Sequence, residues 1–197
     1  MEKILYIKAN FKEENDSYSL KLGRKFIEDY KVKNPNAHVK EIDLYQEDLA
    51  HLDHERIGIV FSPESNELTK YVEEFMEYDK YVIVAPMWNL SIPSILKTYI
   101  DHIVVAGKTF KYTEEGPVGL LENKKALHIT ARGGLYSEGP GADFEMGDRY
   151  LRTILGFMGI QDFNTFAFEQ TGVFSPEQLN EMLEKKYKEA KKLTEEF

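Results

Sequence analysis

Three short stretches of this chain carry side chains suited to holding a ligand. Met87, Trp88, Asn89 and Leu90 put a flat aromatic and an amide between an apolar run and a proline-led amphipathic segment, so this loop could hold a planar heterocycle. Ser17 and Ser19 fall where another amphipathic segment begins, and Tyr18 lies between them. Hydroxyls and unpaired N–H groups at a helix start bind an anion such as phosphate without needing a lysine. On spacing alone Ser17 or Asp16 reads first as an ordinary helix cap, and Asp16 opposes a phosphate unless it points away. The third stretch follows Ala131: at Gly133 and Gly134 the backbone can come close to a ligand, and Arg132 offers a planar fork, although a plain turn would use the same residues.

Other chemistries have less support. His51, Asp53 and His54 are metal-ligand types, but they read as a mixed-charge surface loop and no metal is expected. There is no GxSxG elbow for a hydrolase, and neither GxGxxG nor GxxxxGK[ST] for phosphate binding of those kinds. With no cysteine, disulfides, thiolate metal sites and a cysteine nucleophile are excluded.

The elements that must position these loops follow from hydrophobic pattern. Residues 3–9 (KILYIKA), 39–44 (VKEIDL), 81–85 (YVIVA), 126–130 (ALHIT) and 163–168 (FNTFAF) read as strands. The run 81–85 is continuously apolar and rich in β-branched residues, as in a strand covered on both faces of a parallel sheet. Helical spacing marks Leu20, Leu22, Phe26, Ile27 and Tyr30, then residues 67–78, then Ile95 to Val104 after Pro93, then Tyr150 to Met158. Ser175, Pro176 and Gln178 form a capping box for a final helix. Residues 45–65 read as irregular, with an apolar patch at 57–61 and a turn at Ser62 and Pro63. Residues 108–123, with alternating aromatics and a Gly-Pro turn, read as a hairpin-like excursion over the carboxyl edge of the sheet, where it could lid a pocket. Strands alternating with helices imply a three-layer, doubly wound α/β fold with a parallel five-stranded sheet in the order 2-1-3-4-5. Loops leaving the carboxyl ends of strands one, three and four then converge on one crevice.

Size and charge frame this reading. The chain has 197 residues, 42% of them hydrophobic, enough for one core, so residues 1–197 are expected to form a single domain. No apolar run is long enough to span a bilayer, and the N-terminus lacks a signal-peptide layout, so a cytoplasmic location is expected. A formal charge of −9 opposes general attraction to nucleic acid or anionic membranes.

Residues 86–134, PMWNLSIPSILKTYIDHIVVAGKTFKYTEEGPVGLLENKKALHITARGG, resemble the FMN-dependent NADH-azoreductases, the bacterial quinone reductase family with a flavodoxin-like fold. The shared features are the P-M-aromatic-N loop, the I-P helix start, the AG-TF-YT-GP-GL segment and the R-G-G loop. The resemblance implies an oxidoreductase that reduces quinones, by two electrons, and aromatic azo compounds with NADH, in ping-pong fashion through noncovalently bound FMN. The ribityl phosphate of FMN would sit at Asn10 and Ser17, Tyr18 and Ser19. The isoalloxazine would lie against Met87, Trp88, Asn89 and Leu90 and against Ala131, Arg132, Gly133 and Gly134. No protein side chain is assigned as catalytic, because the flavin carries the hydride chemistry. Phe110 and Tyr112 are candidates for the substrate wall, packing against the core being the other use of such residues. Asn10 stands where the family often has serine, and Trp88 where it often has tyrosine. The resemblance also implies a homodimer with each site at a subunit boundary, and an apolar patch from Phe110, Tyr112, Phe144, Phe157 and the helix after Pro93 would favour it. A flavodoxin-like electron carrier or flavin-binding interaction module is the alternative.

Overall fold

The structure is a computed structural model that describes residues 1–62, 64 and 66–197; of the turn expected at Ser62 and Pro63, Pro63 lies outside the described residues. The strands β1 (Lys3–Lys8), β2 (His38–Asp43) and β3 (Lys80–Val84) are followed by a short antiparallel hairpin, β4 (Phe110–Thr113) and β5 (Gly116–Gly119), and then by β6 (Lys125–Ala131) and β7 (Asp162–Phe168). Five of them form one parallel sheet in the order β2-β1-β3-β6-β7, the order expected from sequence once the hairpin is set aside. Register runs evenly across the sheet, with Ile7 opposite Ile42 and Ile83, and Ile83 opposite His128.

Side chains alternate across the sheet, and each face is buried by its own helices. Leu5, Ile7, Tyr81 and Ile83 pack toward α3 (Lys70–Met76), α4 (Ser94–Ile103) and α5 (Gly147–Phe157). Ile4, Tyr6, Val82, Val84, Leu127 and Ile129 pack toward α1 (Tyr18–Lys33) and the long α6 (Pro176–Glu196). On the first face Phe75 stacks on Tyr81 with centroids 4.0 Å apart. Burying side chains of this size contributes about 1.5 to 3 kcal/mol each. The capping box of α6 forms as the sequence predicts, Ser175 accepting from Gln178 N–H and the Gln178 side chain accepting from Ser175 N–H. Among the described residues no helix is long and apolar enough to cross a membrane.

Three expectations need correction. The apolar patch at 57–61 belongs to a short helix, α2 (His54–Val60), capped by Asp53; it buries only Val60 and leaves Ile57, Ile59 and Phe61 exposed. The excursion at 108–123 is rooted at the opposite edge of the sheet from the one expected. Its chain leaves the end of α4 and enters the start of β6, and it packs on the last turn of α5, where Phe110 meets Phe157 at 4.6 Å and Leu121 N–H bonds Met158 O at 2.8 Å. The contact is close because Gly119 has no side chain: a Cβ there would lie 2.2 Å from Gly159 N. Finally, the wide apolar surface of α4 is spent inside the chain, since Leu96, Tyr99, Ile100 and Ile103 are all buried in the core, and so is Phe110.

Candidate functional site

Each of the three loops expected to bind ligand leaves the carboxyl end of a strand, and contacts join them. Phe11, just beyond β1, lies 5.3 Å from the Trp88 ring, centroid to centroid, and Met87 N–H bonds Ala131 O at 3.0 Å. The crevice they form is at the carboxyl edge of β1, β3 and β6, where open α/β sheets place ligands.

At the start of α1 three neutral polar side chains form a buried cluster. Asn10 Nδ2 donates to Ser17 Oγ at 2.7 Å and to Ser19 Oγ at 3.4 Å, and the two hydroxyls are 3.1 Å apart. Ser17 also caps the helix by accepting from Leu20 N–H, so capping and ligand binding draw on the same residue. The first N–H groups of such a helix have no partner within it, and its dipole favours negative charge there. Asp16, the residue that argued against an anion, is exposed in a 3-10 turn, whereas Ser17 and Ser19 are buried. Tyr18 sits between them with its ring 4.8 Å from Phe168.

Residues 88–91 form a tight two-residue turn closed by paired bonds between Trp88 and Ser91. Its two central residues, Asn89 and Leu90, have φ values of 48° and 67°. Asparagine tolerates this left-handed conformation, but leucine does so at a cost of about 1 to 2 kcal/mol. The surroundings hold it there: Met146 N–H bonds Leu90 O at 2.9 Å, which fixes the turn to the start of α5. Strain maintained in this way is common at ligand-binding loops.

The loop at 131–134 departs from expectation in its side chain and matches it in its backbone. Arg132 is 4% exposed and turned inward, with Nη2 3.3 Å from Glu145 and Nη1 3.1 Å from Glu169. Its fork is a brace and presents nothing to the crevice. Glu169 is the hub of that brace: burial pushes its carboxyl up, but bonds from Ser137, Tyr136 N–H and Arg132 hold it below the usual carboxylate range. The carbonyls of Arg132, Gly133 and Gly134 accept from the N–H groups of Thr171, Gly172 and Gln170. Among the described residues the N–H groups of Gly133 and Gly134 have no acceptor, and a Cβ added to Gly133 would meet nothing within 4 Å.

A family model described as a flavodoxin-like fold matches residues 2–193. The chain is also 50% identical over 200 residues to an FMN-dependent NADH:quinone oxidoreductase of Clostridium perfringens, covering 98% of this chain and all of that one. The chain belongs to this family of flavodoxin-like quinone oxidoreductases. Among solved structures, an azoreductase from Bacillus anthracis superposes with a TM-score of 0.91 at 40% identity and covers both chains fully. An FMN-dependent NADH-azoreductase from Bacillus anthracis in complex with FMN gives 0.87 at 32% identity, covering 100% of this chain and 99% of that one.

Several residues around the site of this family member have no motif to announce them. Phe11, 63% exposed, bridges Trp88 and Tyr45. Glu145 accepts from the N–H groups of Gly147, Asp148 and Arg149, a capping role that an acid just before a helix start can signal. His128 Nδ1 lies 3.1 Å from Asp148, which also accepts from Thr165. Burial pushes the Asp148 carboxyl up, yet His128, Thr165 and Arg152 hold it at about 2. The metal-ligand types do other work: Asp53 caps α2, and His51 Nδ1 meets Thr98 Oγ1 at 2.9 Å, helping to tie residues 45–53 to α4.

Proposed function

We propose that this chain is an FMN-dependent NADH oxidoreductase that reduces quinones by two electrons, and aromatic azo compounds, with residues 1–197 acting as one three-layer FMN-binding domain in the cytoplasm. The observation that carries the reading is a pairing: a buried neutral donor cluster at the start of α1 and a pair of unspent glycine N–H groups, both bordering the turn at 87–90. That pairing fits FMN. Asn10, Ser17 and Ser19 suit a phosphate, Tyr18 backs them, and Met87, Trp88, Asn89, Leu90 and Ala131 suit one edge and face of a flat ring system. When bound, FMN supplies the hydride chemistry for both halves of the reaction.

The chain's own groups then bind, orient and stabilise. Gly133 and Gly134 N–H groups would be the donors toward negative charge on the bound ring, and because their carbonyls are already tied back they would need no reorganisation to do so. Arg132 acts one layer behind, bracing the loop through Glu145 and Glu169. No side chain is required as a proton carrier. NADH and the acceptor occupy the same space in turn, so double-reciprocal plots for NADH and a quinone should be parallel. Intersecting lines would contradict shared space, and an FMN-loaded protein that oxidises NADH only with a separate reductase present would make it a carrier.

The substrate wall points to a homodimer. Phe110 is buried, but Tyr112 is 74% exposed on a hairpin rooted at the far edge of the sheet from its own chain's crevice. As a wall it serves a neighbouring copy. Phe144 and Met146, 58% and 49% exposed beside the start of α5, supply apolar surface for the same contact. Light scattering at micromolar concentration should give twice 22.9 kDa, and Tyr112→Ala should change the KM for the quinone while leaving the Kd for FMN nearly unchanged. A fully active species of 22.9 kDa would rule the dimer out.

A further inference from the structure

A cavity of about 530 Å3 lies between β7, the first half of α5 and the segment 136–145, beside the 131–134 loop. Its carboxylates are already satisfied from within. Glu145 accepts from N–H groups at the start of α5 and faces Arg132, while Asp148 is held by His128, by Thr165 and by Arg152 at 3.3 Å. What remains unspent is donors. Arg132 lines this cavity as a buried brace: its two Nη atoms are taken by Glu145 and Glu169, and its Nε, without a hydrogen-bond partner among the described residues, is shielded within the protein. Arg149 also lines it, has no ion-pair partner among the described residues, and makes one long side-chain bond, 3.4 Å to Ala142 O.

The exposed, largely free guanidinium of Arg149 beside satisfied carboxylates makes a site for an oxyanion, and a planar guanidinium matches phosphate oxygens better than an ammonium does. In a chain of formal charge −9 an arginine without an acid partner stands out against the general field. The cavity also has the right neighbour: Gly147, at the start of α5, packs on the backbone of Ser91, so Arg149 projects from the helix that abuts the 87–90 turn. We infer that this cavity receives the diphosphate of NADH while the nicotinamide lies at the 87–90 and 131–134 loops, an inference that rests on the oxidoreductase reading above. Arg149 is the principal contact, and Arg152, held by Asp148 and stacked 4.5 Å from the Phe163 ring, frames it.

The test compares two hydride donors in FMN-loaded protein with a neutral quinone as acceptor: NADH, and N-benzyl dihydronicotinamide, which has no diphosphate. In Arg149→Gln the KM for NADH should rise roughly tenfold relative to the KM for the phosphate-free donor, the scale of losing one charge-assisted contact. Arg149→Lys should recover part of that ratio, and inorganic pyrophosphate should compete with NADH in the wild type. A ratio that does not move overturns the inference. So does a second assay, with a sulfonated azo dye in place of the quinone, in which Arg149→Gln raises the KM for the dye and leaves that for NADH unchanged, since that assigns the oxyanion to the acceptor. Wild-type protein that oxidises the phosphate-free donor, with Arg149→Gln shifting both donors equally, overturns this inference alone; wild-type protein that oxidises neither donor overturns the oxidoreductase reading along with it.

Discussion

Gly119→Ala should lower the melting temperature by roughly 6 to 12 °C, from about 3 kcal/mol of overpacking in a chain of this size. The added methyl would run into the backbone of the Met158–Gly159 peptide, Gly159 N at 2.2 Å and the Met158 carbonyl carbon at 2.4 Å, so no rotamer change can relieve it. The hairpin must lift from α5, losing the Phe110–Phe157 contact and the bond from Leu121 N–H to Met158 O. Gly58→Ala is the matched control. Its Cβ would meet nothing within 4 Å, and it lies within helix α2, where alanine is favoured by up to about 1 kcal/mol. A thermal scan in which both variants behave alike would contradict the packing argument. If the hairpin reaches a neighbouring copy, Gly119→Ala should also weaken self-association.

The same hairpin shows where the sequence stops being legible. Its strands and turn could be read from alternating aromatics and the Gly-Pro pair, but its location could not, because that depends on a glycine-to-glycine approach between segments far apart in the chain. The five sheet strands were readable to within a residue or two, since β-branched runs bounded by polar loops have few other uses in an α/β chain. Residues 45–62 were not, because α2 buries only Val60 and so leaves almost no periodicity. Among the candidate site residues, the backbone loops were visible through Gly133, Gly134 and the residues at 87–90. The inward turn of Arg132 was hidden, because its partner Glu169 lies 37 positions away and no local pattern pairs them. Ser17 illustrates overlap: its role as helix cap is evident in the structure, and the cap does not exclude a ligand above it.

Replacing Ser17 and Ser19 together by alanine should weaken FMN binding by about 1 to 3 kcal/mol, roughly fivefold to 150-fold in Kd, the scale for removing hydrogen bonds to a charged group. Flavin fluorescence on titration into apoprotein reads this directly. The single variants separate the two uses of the cluster. Ser17→Ala removes the cap bond to Leu20 N–H and should also cost about 1 kcal/mol of stability, whereas Ser19→Ala, whose hydroxyl bonds only its neighbours in the cluster, should weaken binding with little change in melting. Unchanged affinity in the double variant would put the phosphate elsewhere.

The loop at 131–134 is tied down through its carbonyls. Ala131 O accepts from Met87 N–H and the next three accept from residues 170–172, while among the described residues the N–H groups of Gly133 and Gly134 are left open. In deuterated water these two amides should therefore label quickly in the empty protein even though the backbone around them is rigid, and any ligand that accepts from them should slow the labelling. Isotope uptake at two consecutive glycines thus becomes an occupancy gauge that needs no chromophore, and it would register a colourless flavin analogue as readily as a yellow one.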